Sequence, residues 1–200
     1  PTGSVMGHEF SGVVTVVGED VHDWKIGDRV IGGGGSPPPG MEAPLRRQEQ
    51  YNYRLEGFAS TRKRGYAEYT VLNDWEPLLI PDNVTDLEAC MTEPCSVVVR
   101  AVRRSNQRLG DTVVVLGAGP IGLLCIQAAK AAGAGKVIVS EPAKIRREVA
   151  IKLGADAVID PLQEDVYSSV MALTGGVGPD IVYECAAAKP TLDSALNMVR

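Results

Sequence analysis

The sequence lacks several features that would mark particular classes of protein. No apolar run reaches the roughly 18 residues needed to cross a bilayer, and no signal-peptide pattern is present. The net charge of −5 argues against binding to nucleic acid or to an anionic membrane surface. The four cysteines are scattered, which is typical of reduced thiols. We therefore expect a cytoplasmic protein that binds neither nucleic acid nor membrane.

The length and composition of the chain allow real apolar cores. Its 200 residues are 44% hydrophobic, which suffices for one or two globular domains. The chain starts at Pro1 without a methionine, and it stops at Arg200 inside a helical pattern. We therefore expect it to be a piece of a longer protein.

Residues 111–142 carry the strongest local pattern in the chain. Two runs rich in β-branched residues, 112–115 and 137–140, predict strands that are buried on both faces. The helix between them has a predicted apolar face formed by Ile121, Leu124, Cys125 and Ala128. A glycine-rich turn in G-x-G-x-x-G spacing joins the first strand to this helix. The order of these elements predicts a dinucleotide-binding unit.

The residue types in this turn suit a bound dinucleotide. Gly117 makes the tight turn, Gly119 lets the backbone approach the pyrophosphate, and Gly122 lets helix and strand pack closely. The N–H groups and the positive dipole end of the helix hold the phosphates. Glu141, after the second strand, can accept both hydroxyls of the adenosine ribose. The predicted cofactor-binding residues of the turn are Gly117, Gly119, Pro120, Ile121 and Gly122. The alternative is a glycine-rich turn in another kind of α/β protein.

The part of the chain before residue 85 is β-rich and contains no helix-length periodic pattern. Four valines at 13–17 and the pair at 30–31 predict two strands, and residues 65–72 predict another. Residues 32–64 are rich in glycine, proline and arginine and show no apolar periodicity. A loop of that length is either functional or disordered, and we favour a solvent-exposed loop with mobile parts over a binding patch.

A helix start is encoded at residue 85. Thr85 and Glu88 have capping-box spacing, which predicts a helix from Asp86. This helix should stop at Glu93, because a residue before proline avoids the helical conformation, and Pro94 suits the first turn of a new helix to about residue 105. Glu93 is therefore either a helix cap or the ligand of something buried.

Six motifs in a fixed order resemble those of the medium-chain, zinc-dependent alcohol dehydrogenases, and most closely the polyol branch of sorbitol and butanediol dehydrogenases. They are GHEFSGVV, GDRV, RGYAEY, TEP, VVVLGAGPIGLL and VSEPAKIRREVAIKLGADAVIDP. The resemblance implies an α/β fold, with a GroES-like, β-rich catalytic domain at residues 1–105. A Rossmann domain, here an incomplete doubly wound parallel sheet, would occupy residues 106–200. In that family a catalytic zinc lies between the two domains.

The resemblance also implies roles for individual residues. His8 corresponds to the histidine ligand of the zinc, Glu9 to the carboxylate beside it, and Glu93 to the carboxylate ligand of the polyol branch. Glu141 corresponds to the acid on the adenosine ribose, which favours NAD over NADP, and Arg146 flanks that ribose. The implied reaction is hydride transfer between a small-molecule alcohol or polyol and NAD. The intact protein is expected to be a homo-oligomer, either a dimer or a tetramer.

The chain also departs from the family pattern. The family's cysteine ligand and proton-relay residues would lie upstream of Pro1, so the piece itself is expected to be a poor enzyme. Residues 32–64 contain no cysteine, which predicts one catalytic zinc and no structural zinc. Strands predicted at 112–116, 137–140, 157–159 and 181–184 are only four of the six expected for the Rossmann domain.

The residues by themselves leave other functions open. A His-Glu pair on a β segment is more often structural than metal-binding, His22 is expected at the surface, and Cys95 is expected in the core. A zinc-free quinone or enone reductase would share the architecture, but such enzymes usually use NADPH, whose extra phosphate Glu141 would repel. The third possibility is a nucleotide-binding module without enzymatic activity.

Overall fold

A computed structural model describes residues 7–32, 65–74 and 76–200. The chain divides into two compact units, Pro1–Pro94 and Cys95–Arg200. The predicted domain boundary after residue 105 stays a prediction. The long segment at 32–64, and with it the prediction that no structural zinc is bound there, lies outside the described residues apart from Gly32.

The first unit contains a small antiparallel sheet. Its strands are β1 (Phe10–Val13), β2 (Arg29–Gly32) and β3 (Leu78–Leu79), in the order β1-β2-β3. Ser11 lies opposite Ile31, and Val30 lies opposite Leu79. Val30, whose strand was predicted, is buried in the middle strand. The β-rich character of this part of the chain is therefore confirmed.

Two details of the strand prediction are wrong. The run of valines leaves the sheet after Val13, and residues 65–72 form bends and irregular backbone instead of a strand. Val16 is 83% exposed, and Tyr66 and Val71 are 83% and 77% exposed. Aromatic and β-branched residues favour a strand when one face packs against a core. These side chains are not packed in that way in the part of the chain that the structure describes.

The helices around Glu93 also differ from the prediction. Helix α1 (Asp86–Ala89) has the predicted capping box, since Thr85 Oγ1 accepts from the Glu88 N–H and the Glu88 carboxylate accepts from the Thr85 N–H. However, α1 ends at Ala89, and α2 (Thr92–Arg104) begins before Glu93. Pro94 is tolerated as the third residue of α2, because N–H groups in a first turn need no intrahelical acceptor. Glu93 therefore lies in the first turn of α2 and not at a break between helices.

The second unit is built on a parallel sheet of four strands. They are β4 (Thr112–Leu116), β5 (Lys136–Ser140), β6 (Ala157–Ile159) and β7 (Ile181–Glu184). The sheet order is β6-β5-β4-β7, and every neighbouring pair is parallel. All four strands of this domain were predicted, and only β5 differs, by one residue at its start. From β4 the chain adds β5 and β6 on one side of the sheet and then crosses to add β7 on the other side of β4. The boundary between β4 and β7 is therefore a topological switch point.

Helices cover both faces of this sheet. Four helices follow the strands in turn: α3 (Pro120–Ala131), α4 (Lys144–Lys152), α5 (Val166–Leu173) and α6 (Lys189–Met198). Val113 and Val115 pack in one core with α3, whereas Val114 and Leu116 pack in a second core with α5 and α6. All four of these β4 side chains are buried, which explains the uninterrupted apolar run. The α/β, doubly wound fold is therefore confirmed.

The buried stripe of α3 is displaced by one residue from the predicted face. Gly122, Cys125, Ile126 and Ala129 are buried, whereas Ile121, Leu124 and Ala128 are partly exposed. The predicted and the observed residues both recur with the 3.6-residue period of a helix. The helix is apolar nearly all round, so the period alone could not identify the face that packs on the sheet. Among the described residues, no helix is long and apolar enough to span a membrane.

Candidate functional site

His8 is held between a glycine turn and the first residue of β1. Gly7 has a φ of +87°, a conformation that favours glycine, and its carbonyl accepts from the Gly65 N–H at 2.8 Å. On the other side of His8, the Phe10 ring fits over Gly65 and Gly32, where a Cβ would lie 2.5 Å from ring atoms. The backbone on both sides of His8 and Glu9 is therefore fixed by close contacts.

Glu93 is positioned by contacts between the β sheet and the segment that leads into α1. The Arg29 guanidinium on β2 donates to the Val84 carbonyl at 2.7 Å and to the Asp86 carboxylate at 2.9 Å. Ser11 on β1 donates its hydroxyl to the Asp86 carbonyl at 2.9 Å. These contacts tie the start of α1 to β1 and β2. The short helix α1 then leads within a few residues to Glu93.

His8, Glu9 and Glu93 come together in one cluster. The His8 Nε2 and Glu93 Oε1 atoms are 3.5 Å apart, and one ligand atom from each of the three residues lies within 4.8 Å of the others. The side chains of His8 and Glu93 are 37% and 17% exposed, and Glu9 is exposed. Zinc bonds of about 2.0–2.2 Å at tetrahedral angles place two ligand atoms roughly 3.4 Å apart. The distance between His8 and Glu93 thus fits two ligands of one zinc ion.

The chemistry of this donor set also suits a divalent metal. One imidazole nitrogen and two carboxylate oxygens are ordinary zinc ligands, and three protein ligands leave a further position for water or substrate. Cys95 and His22 do not belong to the cluster, which is the one group of three metal-ligating side chains found among the described residues. His22 is exposed, as predicted, whereas Cys95 is only partly buried. Burial raises the pKa of the Cys95 thiol.

The glycine turn between β4 and α3 has the geometry that its sequence predicted. Gly117 has a φ of +93°, and a Cβ there would lie 3.0 Å from the Ala186 nitrogen. A Cβ on Gly122 would lie only 1.9 Å from the Gly117 carbonyl oxygen, so α3 can approach the turn this closely only with glycine. Gly119, in contrast, precedes α3 as its N-cap, and a Cβ there would meet no atom within 4 Å. The space in front of Gly119 is therefore open to a ligand.

Glu141 touches the glycine turn directly. One carboxylate oxygen accepts from the Ala118 N–H at 2.7 Å, and the other accepts from the Ala143 N–H at 2.9 Å. The residue is only 3% exposed. Sequence reasoning missed both bonds, since it assigned this carboxylate to a ribose alone. Each carboxylate oxygen has a second lone pair, so the two bonds leave capacity for hydroxyl donors.

Two consecutive arginines behave differently beside Glu141. Arg146, the predicted residue, places its guanidinium 3.9 Å from the Glu141 carboxylate and is 55% exposed. Arg147 donates to the carbonyls of Glu141 and Pro142 at 2.7 and 2.6 Å and pairs with Asp160 at 2.8 Å. Arg147 therefore fixes the turn after β5, a role for which the sequence carried no signal beyond a second basic residue.

Two protein families match the two parts of the chain. Residues 1–82 match the alcohol dehydrogenase GroES-like domain, and residues 120–200 match the zinc-binding dehydrogenase family. Sorbitol dehydrogenase of Bacillus subtilis (strain 168) is 34% identical over 202 residues, which cover 98% of this chain and 56% of that protein. The chain thus spans about half the length of the curated relatives it matches.

Solved structures lead to the same group. The crystal structure of 2R,3R-butanediol dehydrogenase from Bacillus subtilis superposes with a TM-score of 0.81 at 34% identity, over 98% of this chain and 55% of that one. An alcohol dehydrogenase from Thermus sp. ATN1 superposes with a TM-score of 0.84 at 32% identity, over 99% of this chain and 59% of that one.

Proposed function

We propose that this chain, which belongs to the medium-chain, zinc-dependent alcohol dehydrogenase family, is the metal- and nucleotide-binding part of an oxidoreductase. The proposed reaction transfers a hydride between an alcohol or polyol and NAD. The relatives named as sorbitol, butanediol and D-arabitol-phosphate dehydrogenases support a polyhydroxylated or vicinal diol substrate.

One observation carries the proposal. His8 and Glu93 are far apart in sequence, yet their ligand atoms are 3.5 Å apart, with Glu9 beside them. Ordinary structural ion pairs join two residues, whereas this cluster adds a third donor of metal-ligating type. A zinc-free reductase would have no chemical need for this convergence.

The proposed roles of the cluster follow from charge and protonation. His8 would bind through Nε2 as a neutral imidazole, because a ligating nitrogen must be free of its proton. Glu93 and Glu9 together would offset the two positive charges of the ion. When bound, zinc supplies a Lewis acid that lowers the pKa of a coordinated hydroxyl group, and NAD supplies the hydride acceptor. The chain's own residues hold and orient these groups.

The proposed nucleotide site uses the turn between β4 and α3. Gly119 leaves space for the pyrophosphate, and the N–H groups of Ile121 and Gly122 at the start of α3 have no intrahelical acceptor and would donate to it. The next N–H group, that of Leu123, already donates to the Gly119 carbonyl at 2.9 Å. Glu141 would accept the adenosine ribose hydroxyls, with Arg146 at the edge of that site. A 2′-phosphate would face the buried Glu141 carboxylate, so we propose NAD and not NADP.

Zinc content tests the metal site directly. We expect the intact protein to bind one catalytic zinc per chain, and Glu93→Ala and His8→Ala to lower zinc affinity at least roughly tenfold. His22→Ala is the matched control, because His22 is exposed and outside the cluster, and it should leave zinc unchanged. Zinc would be measured by elemental analysis after dialysis against a weak chelator. Full zinc occupancy in Glu93→Ala would restrict Glu93 to a structural role.

Turnover separates the proposed enzyme from its two alternatives. The intact protein would be tested with a panel of diols and polyols, each with NAD and with NADP. Reduction of quinones or enones by NADPH without zinc would favour the zinc-free reductase, and nucleotide binding without turnover would favour a binding module. A homo-oligomeric state and a cytoplasmic location stay predictions, to be checked by light scattering and by cell fractionation.

A further inference from the structure

Two of the four cysteines face each other inside the second unit. Cys125 lies in the second turn of α3, and Cys185 directly follows β7. Their sulfur atoms are 3.8 Å apart, close enough for the Cys185 thiol to donate to the Cys125 sulfur. Cys125 is 2% exposed, whereas Cys185 is partly exposed. The pair thus consists of a buried sulfur and a neighbour that solvent can reach.

The contact shifts the pKa values of the two thiols in opposite directions. The hydrogen bond from Cys185 lowers the pKa of the Cys125 thiol. The same contact, together with burial, raises the pKa of the Cys185 thiol. Thiolates are the nucleophiles in disulfide chemistry, and the 3.8 Å contact places each sulfur atom within reach of the other.

We propose that Cys125 and Cys185 are a modification site that hydroperoxides oxidise to a reversible intramolecular disulfide, which fixes α3 to the end of β7. The other two cysteines, Cys90 and Cys95, have different surroundings. Cys90 donates its thiol to the Leu87 carbonyl in the first unit, and Cys95 is a partly buried free thiol in the first turn of α2. The proposal does not depend on zinc, on NAD or on the reaction proposed above.

The oxidation proceeds in two balanced steps. One of the two sulfur atoms, as its thiolate, takes an oxygen atom from the hydroperoxide as the O–O bond breaks, which gives a sulfenic acid and one molecule of water or alcohol. The other sulfur, as its thiolate, then attacks the oxidised sulfur, so that the S–S bond forms, the S–O bond breaks and the departing hydroxide takes up a proton as water. Two thiols lose two electrons and two protons in total, and the peroxide gains them.

The geometry requires only a small movement. A disulfide has an S–S length of about 2.05 Å, so the two sulfur atoms must approach by roughly 1.8 Å. Cys185 lies in the loop after β7 and not inside a helix or strand. Its backbone stays anchored, since the Cys185 N–H donates to the Leu116 carbonyl at 2.8 Å.

The bond would form directly beside the glycine turn. The loop after β7 is held by Glu184, whose carboxylate accepts from the Ala186 and Ala187 N–H groups at 2.9 and 3.0 Å. Ala186 packs against Gly117, so this loop forms one side of the turn. A covalent link from the loop to α3 would join the two elements that enclose the start of that helix.

The test is oxidation of the intact protein with hydrogen peroxide, followed by alkylation, digestion without reductant and mass spectrometry. We expect a linked peptide pair containing Cys125 and Cys185, the loss of two titratable thiols per chain, and the return of both with reduced glutathione. The double variant C90S/C95S is the matched control and should form the same link. C125S and C185S should form no link, and circular dichroism would verify that they fold.

The outcomes decide the proposal without reference to activity. The linked pair in wild type and in C90S/C95S, reversed by glutathione, supports it. A wild-type protein whose Cys185 passes to sulfinic acid without a link to Cys125 overturns it. A link from either cysteine to a different partner also overturns it, because the 3.8 Å contact would then not direct the chemistry.

Discussion

Replacing Gly122 with alanine tests the closest backbone contact in the glycine turn. The added Cβ would lie 1.9 Å from the Gly117 carbonyl oxygen and 2.9 Å from its carbonyl carbon. Real Cβ atoms are essentially never found below 3.0 Å, so α3 must move away from the turn by more than an ångström. The obstacle is backbone, which cannot rotate aside as a side chain could. The start of α3 is therefore displaced.

Two opposing effects determine how much the Gly122→Ala substitution lowers the free energy of unfolding. Overpacking in a close-packed site costs about 1–3 kcal/mol, and a backbone obstacle places this substitution near the upper end. Alanine in a helix regains up to about 1 kcal/mol over glycine. The free energy of unfolding should therefore fall by about 2 kcal/mol. Loss of even one N–H donor to a phosphate costs about 1.5–3 kcal/mol, so NADH affinity should fall at least roughly tenfold.

Gly119→Ala is the matched control for the effect on stability. A Cβ there meets no atom within 4 Å, and its φ of −70° suits any residue. The cost at this N-cap position should stay below about 1 kcal/mol. Nevertheless, the methyl group would occupy the space left for the pyrophosphate. Gly119→Ala should therefore weaken NADH binding with little loss of stability.

Urea denaturation and fluorescence titration with NADH would measure the two effects on the intact protein. The reasoning predicts a loss of both properties in Gly122→Ala and of binding alone in Gly119→Ala. If both variants bound NADH as tightly as wild type, the phosphates would not be held at the start of α3. If Gly122→Ala were as stable as wild type, the close packing at Gly117 would not constrain this residue.

Two further predictions concern Glu141 and the capping box of α1. Glu141→Ala should weaken NAD binding and reduce discrimination against NADP, because it removes the acceptor of the Ala118 N–H along with the proposed ribose acceptor; titration with both nucleotides measures this. Thr85→Ala should lower the free energy of unfolding by about 1 kcal/mol, as measured in urea. The hydrogen bonds from Thr85 lower the pKa of Glu88, so the part of the stabilisation that comes from the Glu88 charge is present at neutral pH and is lost as the pH falls through that lowered pKa.

Each of these predictions has its own control. Arg146→Ala changes an exposed side chain that is 3.9 Å from Glu141, so it should affect NAD affinity less than Glu141→Ala does. Unchanged NAD binding in Glu141→Ala would refute the role assigned to this carboxylate. For the capping box, the difference between wild type and Thr85→Ala should shrink in acid. A difference that stayed constant between neutral and acidic pH would show that Glu88 does not contribute through its charge.

The Rossmann part of the fold could be predicted because its signals are local and strong. Strand β4 is buried on both faces, so its residues form a continuous apolar run. Such a run indicates where the strand lies and that it belongs to a parallel sheet covered on both faces. Gly117 and Gly122 are each required by a specific backbone contact, and their spacing therefore encodes the turn. The same logic fails in the first unit, where Val16 and Tyr66 have strand-forming side chains that remain exposed. Propensity without burial does not determine a strand.

The contacts of Glu141 and Arg147 show a second limit of sequence reasoning. A carboxylate after β5 was predicted to meet a ligand, but it also closes the turn after β4 through the Ala118 N–H. Arg147 and Arg146 are adjacent and chemically identical, yet only Arg147 is bound to backbone carbonyls and to Asp160. The direction of each side chain along α4 decides between them. Sequence alone cannot decide which of two adjacent arginines makes these contacts, because the answer depends on which side of α4 faces the turn after β5.

The cluster of His8, Glu9 and Glu93, the proposed metal site, could not be located from sequence spacing, for a different reason. His8 and Glu93 have no sequence spacing that could signal a metal site, and only a resemblance predicted them together. In the structure, Arg29 and Ser11 bind the segment at Asp86 to the sheet, and this long-range attachment brings the first turn of α2 to His8. The residues that assemble the cluster are thus different from those that would hold the ion. A substitution at Arg29 should therefore loosen the cluster while leaving all three of its ligand side chains chemically intact.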